Sequence, residues 1–327
     1  MNECSAKITP SVAVSPMVIV EAPINFTTLI LPMLTINPKE ISVLKLHAYM
    51  LASILPRPIA FASTVDKNGF PNLAPFSFFN AFGSHPPTLI FSPARRVRDN
   101  TTKHTLENVL EVPEVVINTV SYDMVHQVSL ASVEFPVGEN EFLKAGFTPL
   151  KSEMIKPFRV AESPVQFECK VVEVKPMGDE GGAANLIICE ILLMHINEKV
   201  LNEQQRIDPH KIDLVARMGD DFYCRASGSA VFEVPKPKLK PAIGIDQLPE
   251  NIRNSKVLTG NNLGMLGNSE HFPTSEELAG VSLGDSLKEL QERFQNDEES
   301  LEYHKHLLAQ SFLEEKKVLE AWKALLS

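Results

Sequence analysis

From Ile59 to Glu233 the chain is a succession of short β-prone runs closed by turn-forming residues, and this punctuation limits its possible folds more than any other feature. Residues 59–65 are β-prone, Asp66-Lys-Asn-Gly69 is a turn signal, and residues 71–77 resume extended chain, which predicts a hairpin. Further strands are predicted at 88–92, 114–120, 165–174, 185–196 and 227–233. In the 165–174 run, Phe167, Cys169 and Val171 alternate with Gln166, Glu168 and Lys170, predicting one wet face. Residues 186–194 are apolar apart from Glu190, as a central strand requires. Apolar residues recur three or four apart around 39–51, 103–110, 121–131 and 139–145, predicting helices there. The expected fold is mainly β with surrounding helices, a barrel or a sandwich, with the irregular barrel the more economical reading.

The two ends read differently. Residues 1–32 carry Ser, Thr and Pro without periodicity. The apolar stretch 17–34 is broken by Glu21, Pro23, Asn25 and Pro32 and lacks a basic segment ahead of it, so 1–32 is expected to be a disordered tail, not a signal peptide. The main domain is expected over 33–235. After it, Pro235, Pro237 and Pro241 alternate with Lys236, Lys238 and Lys240, a pattern suited to an extended connector. Residues 236–327 are read as this linker and a helical C-terminal extension. Thr274 and Glu277 have the spacing of a capping box. Leu287, Leu290, Phe294, Leu301, Leu308, Phe312, Leu319, Trp322 and Leu326 then mark an apolar stripe, expected to pack on the barrel or on a second subunit. Gly260, Gly264 and Gly267 fit neither the dinucleotide fingerprint nor a P-loop, and predict a turn-rich ordered loop.

Composition removes several function classes. With 31 basic and 41 acidic side chains the net charge is −10, which disfavours a general binder of nucleic acid. No stretch has the roughly 18 uninterrupted apolar residues of a membrane helix. Cys4, Cys169, Cys189 and Cys224 form no C-x-x-C pair and are too scattered for a disulfide framework, which fits a reducing cytoplasm, with Cys169 and Cys189 as core thiols. His304 and His306 are two apart on a predicted helix, and His85, His104, His126, His195 and His210 are dispersed, so no metal site is expected. No G-x-S-x-G elbow supports acyl transfer.

The segment Pro56-Arg-Pro-Ile-Ala-Phe-Ala-Ser-Thr-Val65 is followed by Pro71-Asn-Leu-Ala-Pro-Phe-Ser-Phe-Phe-Asn80, Phe91-Ser-Pro-Ala-Arg-Arg96 and Lys103-His-Thr-Leu-Glu-Asn108. With Arg159-Val-Ala-Glu-Ser-Pro164 and Ala216-Arg-Met-Gly-Asp-Asp-Phe-Tyr223 behind them, these pieces resemble the flavin reductase-like, flavoredoxin-type family of FMN-binding split barrels over residues 33–235. The residue types suit flavin mononucleotide independently. Ser63, Thr64 and Ser77 offer hydroxyls, and Arg95, Arg96, Arg98 and Lys103 gather cations for a phosphate. Residues 103–105 also open a helical pattern whose first N–H groups favour an anion. The blander reading is a solvated basic loop with hydroxyls that cap or pack.

The resemblance implies that Lys103 and Thr105 bind phosphate, with Arg95 a candidate beside them, and that Asn72, Ala74, Ser77 and Phe79 lie along the flavin. On one continuous strand, however, Asn72, Ala74 and Phe76 would share one face and Leu73, Pro75, Ser77 and Phe79 the other. Arg217 and Tyr223 match a family segment near flavin or substrate. Where the family commonly has Asp, this chain has His104. The implied activity is hydride transfer from NADH or NADPH to FMN, in preference to FAD, with the chemistry carried by the flavin and no catalytic side chain assigned. A homodimer is implied, and a protein electron acceptor would fit. The alternatives are an electron-transfer flavoprotein served by a protein partner, and an FMN-binding scaffold whose acidic helices mediate interaction.

Overall fold

The computed structural model describes residues 33–136, 138–236 and 241–327; the expected tail at 1–32 and residues 237–240 of the connector lie outside the described residues. The described chain divides into two compact units, Leu34–Glu233 and one containing Val234–Ser327.

The first unit opens with α1 (Val43–Ser53), β1 (Ala60–Val65), β2 (Pro71–Phe76), β3 (Phe79–Ser84) and β4 (Pro87–Phe91). It continues with α2 (His104–Glu111), β5 (Glu114–Asn118), α3 (Val125–Leu130), α4 (Glu141–Ala145) and the short strands β6 (Pro149–Leu150) and β7 (Arg159–Val160). The long strands β8 (Val165–Pro176) and β9 (Asn185–Ile196) and the hairpin β10 (Val215–Arg217) and β11 (Tyr223–Arg225) complete it. The predicted first hairpin forms: Asp66 Oδ1 accepts the N–H groups of Asn68 at 2.9 Å and Phe70 at 2.8 Å, and Gly69 takes the left-handed φ of 84° that the turn requires.

Seven antiparallel strands make one sheet in the order β2-β1-β5-β8-β9-β4-β3. One face closes on a common core of Ala60, Ala62, Phe76, Leu89, Phe91, Val115, Ile117, Cys169, Val171, Ile187 and Cys189, into which α2 inserts Leu106 and Val109. The other face of β1 and β2 buries Ile59, Phe61 and Leu73 against Val128, Phe142 and Phe147. Both faces of β1 are therefore covered. Burial pushes the Cys189 thiol up to about 12, so it sits in the core as a small apolar group.

Four expectations are corrected. The continuous strand through Ser77 does not exist: the chain bends at Ser77 and Phe78, and β3 crosses to the far edge of the sheet. Phe79 thus packs against the same core as Phe76, in spite of its parity. The strand predicted at 227–233 is a 3-10 turn, Gly228–Ala230, followed by exposed Phe232 and Val234, and no strand among the described residues pairs with it. The wet face of β8 is dry at one end, where Gln166 and Glu168 are buried. The Glu168 carboxylate accepts the amides of Glu153 and Met154 and lies 2.8 Å from His195 Nε2. Burial would raise its pKa, but these partners outweigh burial and hold it below the usual range.

The fourth correction lies in the second unit, where residues 260–267 are a helix, not a loop. This unit holds α5 (Glu250–Arg253), α6 (Gly260–Gly267), α7 (Ser275–Ala279), α8 (Ser286–Arg293), α9 (Glu298–Glu314) and α10 (Val318–Leu326). Thr259 and Asn262 form a capping box for α6, and Leu263 and Leu266 are buried. Gly267 is required by proximity, since a Cβ there would stand 3.0 Å from the Gly244 carbonyl carbon. The expected box at Thr274 and Glu277 caps α7. The apolar stripe packs within this unit. Leu287 and Trp322 join Leu263, Leu266, Leu313 and Leu325, whereas Leu319 and Leu326 are exposed. The left-handed Lys316 (φ 62°) ends α9 and resets the helical phase, so the stripe does not run straight into α10. Among the described residues no helix is long and apolar enough to cross a membrane.

Buried Arg57 ties three parts of the first unit together. Its Nη1 donates to the carbonyls of Leu51 and Ile54 at the end of α1, and its Nη2 to Met218 O at 2.6 Å, while its backbone exchanges both hydrogen bonds with Arg217. Lysine cannot reach carbonyls on two elements with a fixed fork. Arg57→Lys is expected to lower stability by about 2 kcal/mol or more in denaturant unfolding; an unchanged midpoint would contradict this assignment.

Candidate functional site

Paired strands set the site. Thr64 on β1 and Asn72 on β2 are directly opposite each other in the register, and both face α2. Asn72 Nδ2 donates to Thr64 Oγ1 at 3.3 Å and to Thr105 Oγ1 at 2.9 Å, and Asn108 Nδ2 donates to Thr64 Oγ1 at 3.1 Å. All four side chains are buried, so these bonds take the place of bonds to water. The network fixes the first turn of α2 against the β1–β2 hairpin. Lys103 is the N-cap residue of that helix and no side chain among the described residues caps it, which leaves the His104 and Thr105 amides at a positive helix end.

A small cavity of about 40 Å³ opens at this helix end, lined by Asn72, Ala74, Arg96, Lys103, His104, Thr105, Glu134 and Glu141 together with residues 131–133 and Phe135. Arg96 is held in place. Arg96 Nη1 donates to Thr101 Oγ1 at 2.9 Å and to Thr102 O, and Arg96 Nε donates to Glu134 Oε1 at 2.7 Å. Arg98 Nη2 contacts the other Glu134 oxygen, and Lys103 Nζ lies 3.6 Å from Oε1. The Arg96 hydrogen bond, opposed by partial burial, and then the Arg98 bond and the neighbouring positive charges hold the Glu134 carboxyl at about 2. An adjoining depression lined by Asp66, Glu107, Glu111 and Glu139 shares Asn72, His104 and Glu141 with the cavity, so positive charge is confined to the end beneath the basic loop.

The basic loop owes its path to the turn between β8 and β9. Arg95 N donates to Ala183 O at 2.9 Å and Gly182 N to Arg95 O at 3.0 Å. A Cβ on Gly181 would stand 3.0 Å from Val97 O and 3.1 Å from Arg96 O, a separation the backbone tolerates only with glycine.

Of the residues singled out in the sequence, the cavity brings together Asn72, Ala74, Arg96, Lys103, His104 and Thr105. Thr64 stands behind Asn72 and Thr105 and is fully buried. Ser63 points to the other face of β1, fully buried and with its hydroxyl unpaired. Ser77 lies 3.5 Å from Arg57 Nε, and Phe79 packs on the core. Arg95 turns back on its own loop, donating to Asn100 Oδ1 and to Asn100 O, each at 2.6 Å. Arg217 stacks over Tyr223 with 4.6 Å to the ring centre. The cavity also contains Glu134 and Glu141, and the network contains Asn108; no local pattern had marked the first two, since each is brought in by a distant loop or helix.

Comparison with known proteins gives a consistent result. Residues 51–210 match the family described as "Flavin reductase like domain". An uncharacterised protein of Aquifex aeolicus is 38% identical over 189 residues, which covers 58% of this chain and 94% of that one. The crystal structure of nitrilotriacetate monooxygenase component B from Bacillus cereus aligns with a TM-score of 0.58 at 29% identity, over 62% of this chain and 99% of that one. A Shewanella frigidimarina protein with a split barrel domain aligns with a TM-score of 0.52 at 23% identity, over 61% and 95% of the two chains, and shows that the seven-stranded sheet is a split barrel.

Two outcomes follow from the geometry. Gly181→Val should displace the basic loop and weaken the binding of a phosphorylated ligand in the cavity about tenfold, the loss of one charge-assisted contact; unchanged affinity in a titration would contradict the packing argument. The second concerns Glu141, which is buried and accepts Leu73 N at 3.2 Å. Burial pushes its carboxyl up, only partly offset by backbone amides and the nearby His104. The folded state therefore favours the protonated acid, a contribution present at low pH and lost as pH rises through the raised value. Glu141→Gln should be at least as stable as the natural protein near pH 7, with that advantage disappearing below about pH 4. Marked destabilisation at neutral pH would show that the charge itself is needed.

Proposed function

The chain belongs to the flavin reductase-like domain family, and from that membership we propose that it is an oxidoreductase that binds FMN and reduces it with NADH or NADPH. The observation that carries this reading is the convergence of Arg96, Lys103 and the uncapped start of α2 beside Asn72 and Ala74. That donor set fits a phosphate: two cations, two backbone amides at a helix N-terminus and a hydroxyl. Thr105 Oγ1 accepts from Asn72, which leaves its own proton available for an anion. Lys103, Arg96 and Thr105 would hold the phosphate, and Ala74 with the neighbouring strand edge would give the ring an apolar support.

When bound, the flavin supplies the hydride and electron transfer. The protein's own residues bind and orient it. Asn72 and Asn108 fix the height of α2 over the strands, and the core beneath Ala74, with Phe76 and Phe91 at 5.5 Å between ring centres, keeps water from below. The similarity to a monooxygenase component supports a role in delivering reduced flavin to a second enzyme. A homodimer goes with this reading, since α1 buries no residue and leaves Val43, Leu44, Met50 and Ile54 exposed. So does the cytoplasm, where the buried thiols Cys169 and Cys189 would stay reduced.

The absorption spectrum of the FMN-loaded protein under anaerobic conditions tests the proposal. Addition of NADH or NADPH should bleach the oxidised flavin band. Persistence of the band with both donors would overturn nicotinamide-dependent reduction and leave electron transfer from a protein partner.

A further inference from the structure

The cations of the phosphate pocket already hold an anion. Glu134 receives Arg96 Nε at 2.7 Å on one oxygen, Arg98 on the other, and Lys103 Nζ at 3.6 Å. Arg98 is shared with Asp99, whose Oδ2 lies 3.0 Å from Arg98 Nε, so the three cations and two carboxylates leave one positive charge in excess. The two sides of this arrangement differ in freedom. Arg96 has a side chain only 15% exposed and is pinned by the oxygens of Thr101 and Thr102, so it stays whether or not Glu134 is present. Glu134 is 32% exposed and lies outside any helix or strand, between α3 and α4. Its carboxylate can swing outward by side-chain rotation while Arg96 keeps its position, and the more exposed Arg98 and Lys103 are free to follow either anion.

We propose that Glu134 sets the affinity of the pocket for phosphorylated ligands by acting as an internal anion that the ligand's phosphate displaces. The inference rests on the flavin reading and deepens it: FMN meets a competitor already seated, and binds less tightly than the cations alone would allow. Part of the attraction between phosphate and cations is offset by the loss of the Glu134 contacts. Riboflavin carries the same ring without the phosphate and has no reason to displace Glu134.

The test compares the natural protein with Glu134→Gln, which keeps size and removes charge, and Glu134→Asp, which keeps charge. Dissociation constants for FMN and riboflavin are measured by fluorescence quenching, and melting temperatures are titrated with inorganic phosphate. Glu134→Gln should bind FMN at least about tenfold more tightly with riboflavin unchanged, and should be stabilised by phosphate at lower concentration. Glu134→Asp should stay near the natural protein. If Glu134→Gln binds FMN no more tightly, or more weakly, Glu134 is a scaffold for the arginines and the proposal is overturned. If neither flavin binds any of the three proteins, the flavin reading fails; the phosphate titration still decides Glu134, because an unchanged phosphate response in Glu134→Gln overturns its role and a stronger one upholds it.

Discussion

Thr64, Asn72, Thr105 and Asn108 are buried, and hydrogen bonds from the two Asn amides to the two Thr hydroxyls join them to one another. An unsatisfied donor there would cost about 1–3 kcal/mol, comparable to a sizeable share of a domain's stability. That constraint decides where α2 can sit. Its first turn must meet the β1–β2 hairpin through Thr105 and Asn108, while Leu106 and Val109 enter the barrel core. One short helix therefore closes the barrel with its apolar side and presents a positive end to the cavity beside Arg96 and Lys103. The packing of the fold and the chemistry of the pocket have the same cause.

Local physics made much of this legible in advance. The hairpin at Asp66 and Gly69 and the helix beginning near Lys103 depend on neighbours a few positions apart. What was hidden depends on distant partners. β3 pairs with β4 at one edge while β2 lies at the other, so the face to which Phe79 belongs is set by a crossing that strand alternation does not encode. Glu168 looked wet because alternation says nothing about the segment that covers it, which supplies the Glu153 and Met154 amides. Glu134 reaches Arg96 across 38 positions, and Glu141 reaches Leu73 across 68. Gly181 fixes the basic loop from the turn between two later strands. The three glycines from Gly260 to Gly267 looked like a loop because glycine disfavours helix, but a capping box and the buried Leu263 and Leu266 outweigh that propensity.

Charge explains how an acidic chain can hold an anion. The overall −10 is not expressed uniformly. Arg96 and Lys103 line one end of the cavity, with Arg98 reaching Glu134 there, and Asp66, Glu107, Glu111 and Glu139 line the depression beside it. A ligand with a charged end and a flat neutral body is oriented by such a gradient before any side chain moves. Of the arginines in the basic loop, Arg95 serves to hold the loop and Arg96 to face the cavity, a division that depends on the Asn100 turn and not on residue type.

The most direct measurement is a crystal structure of the protein with FMN. The account predicts the phosphate within hydrogen-bonding distance of Lys103, Thr105 and the first amides of α2, with Arg96 in its present position. A phosphate bound elsewhere on the barrel, with the α2 end untouched, would contradict it.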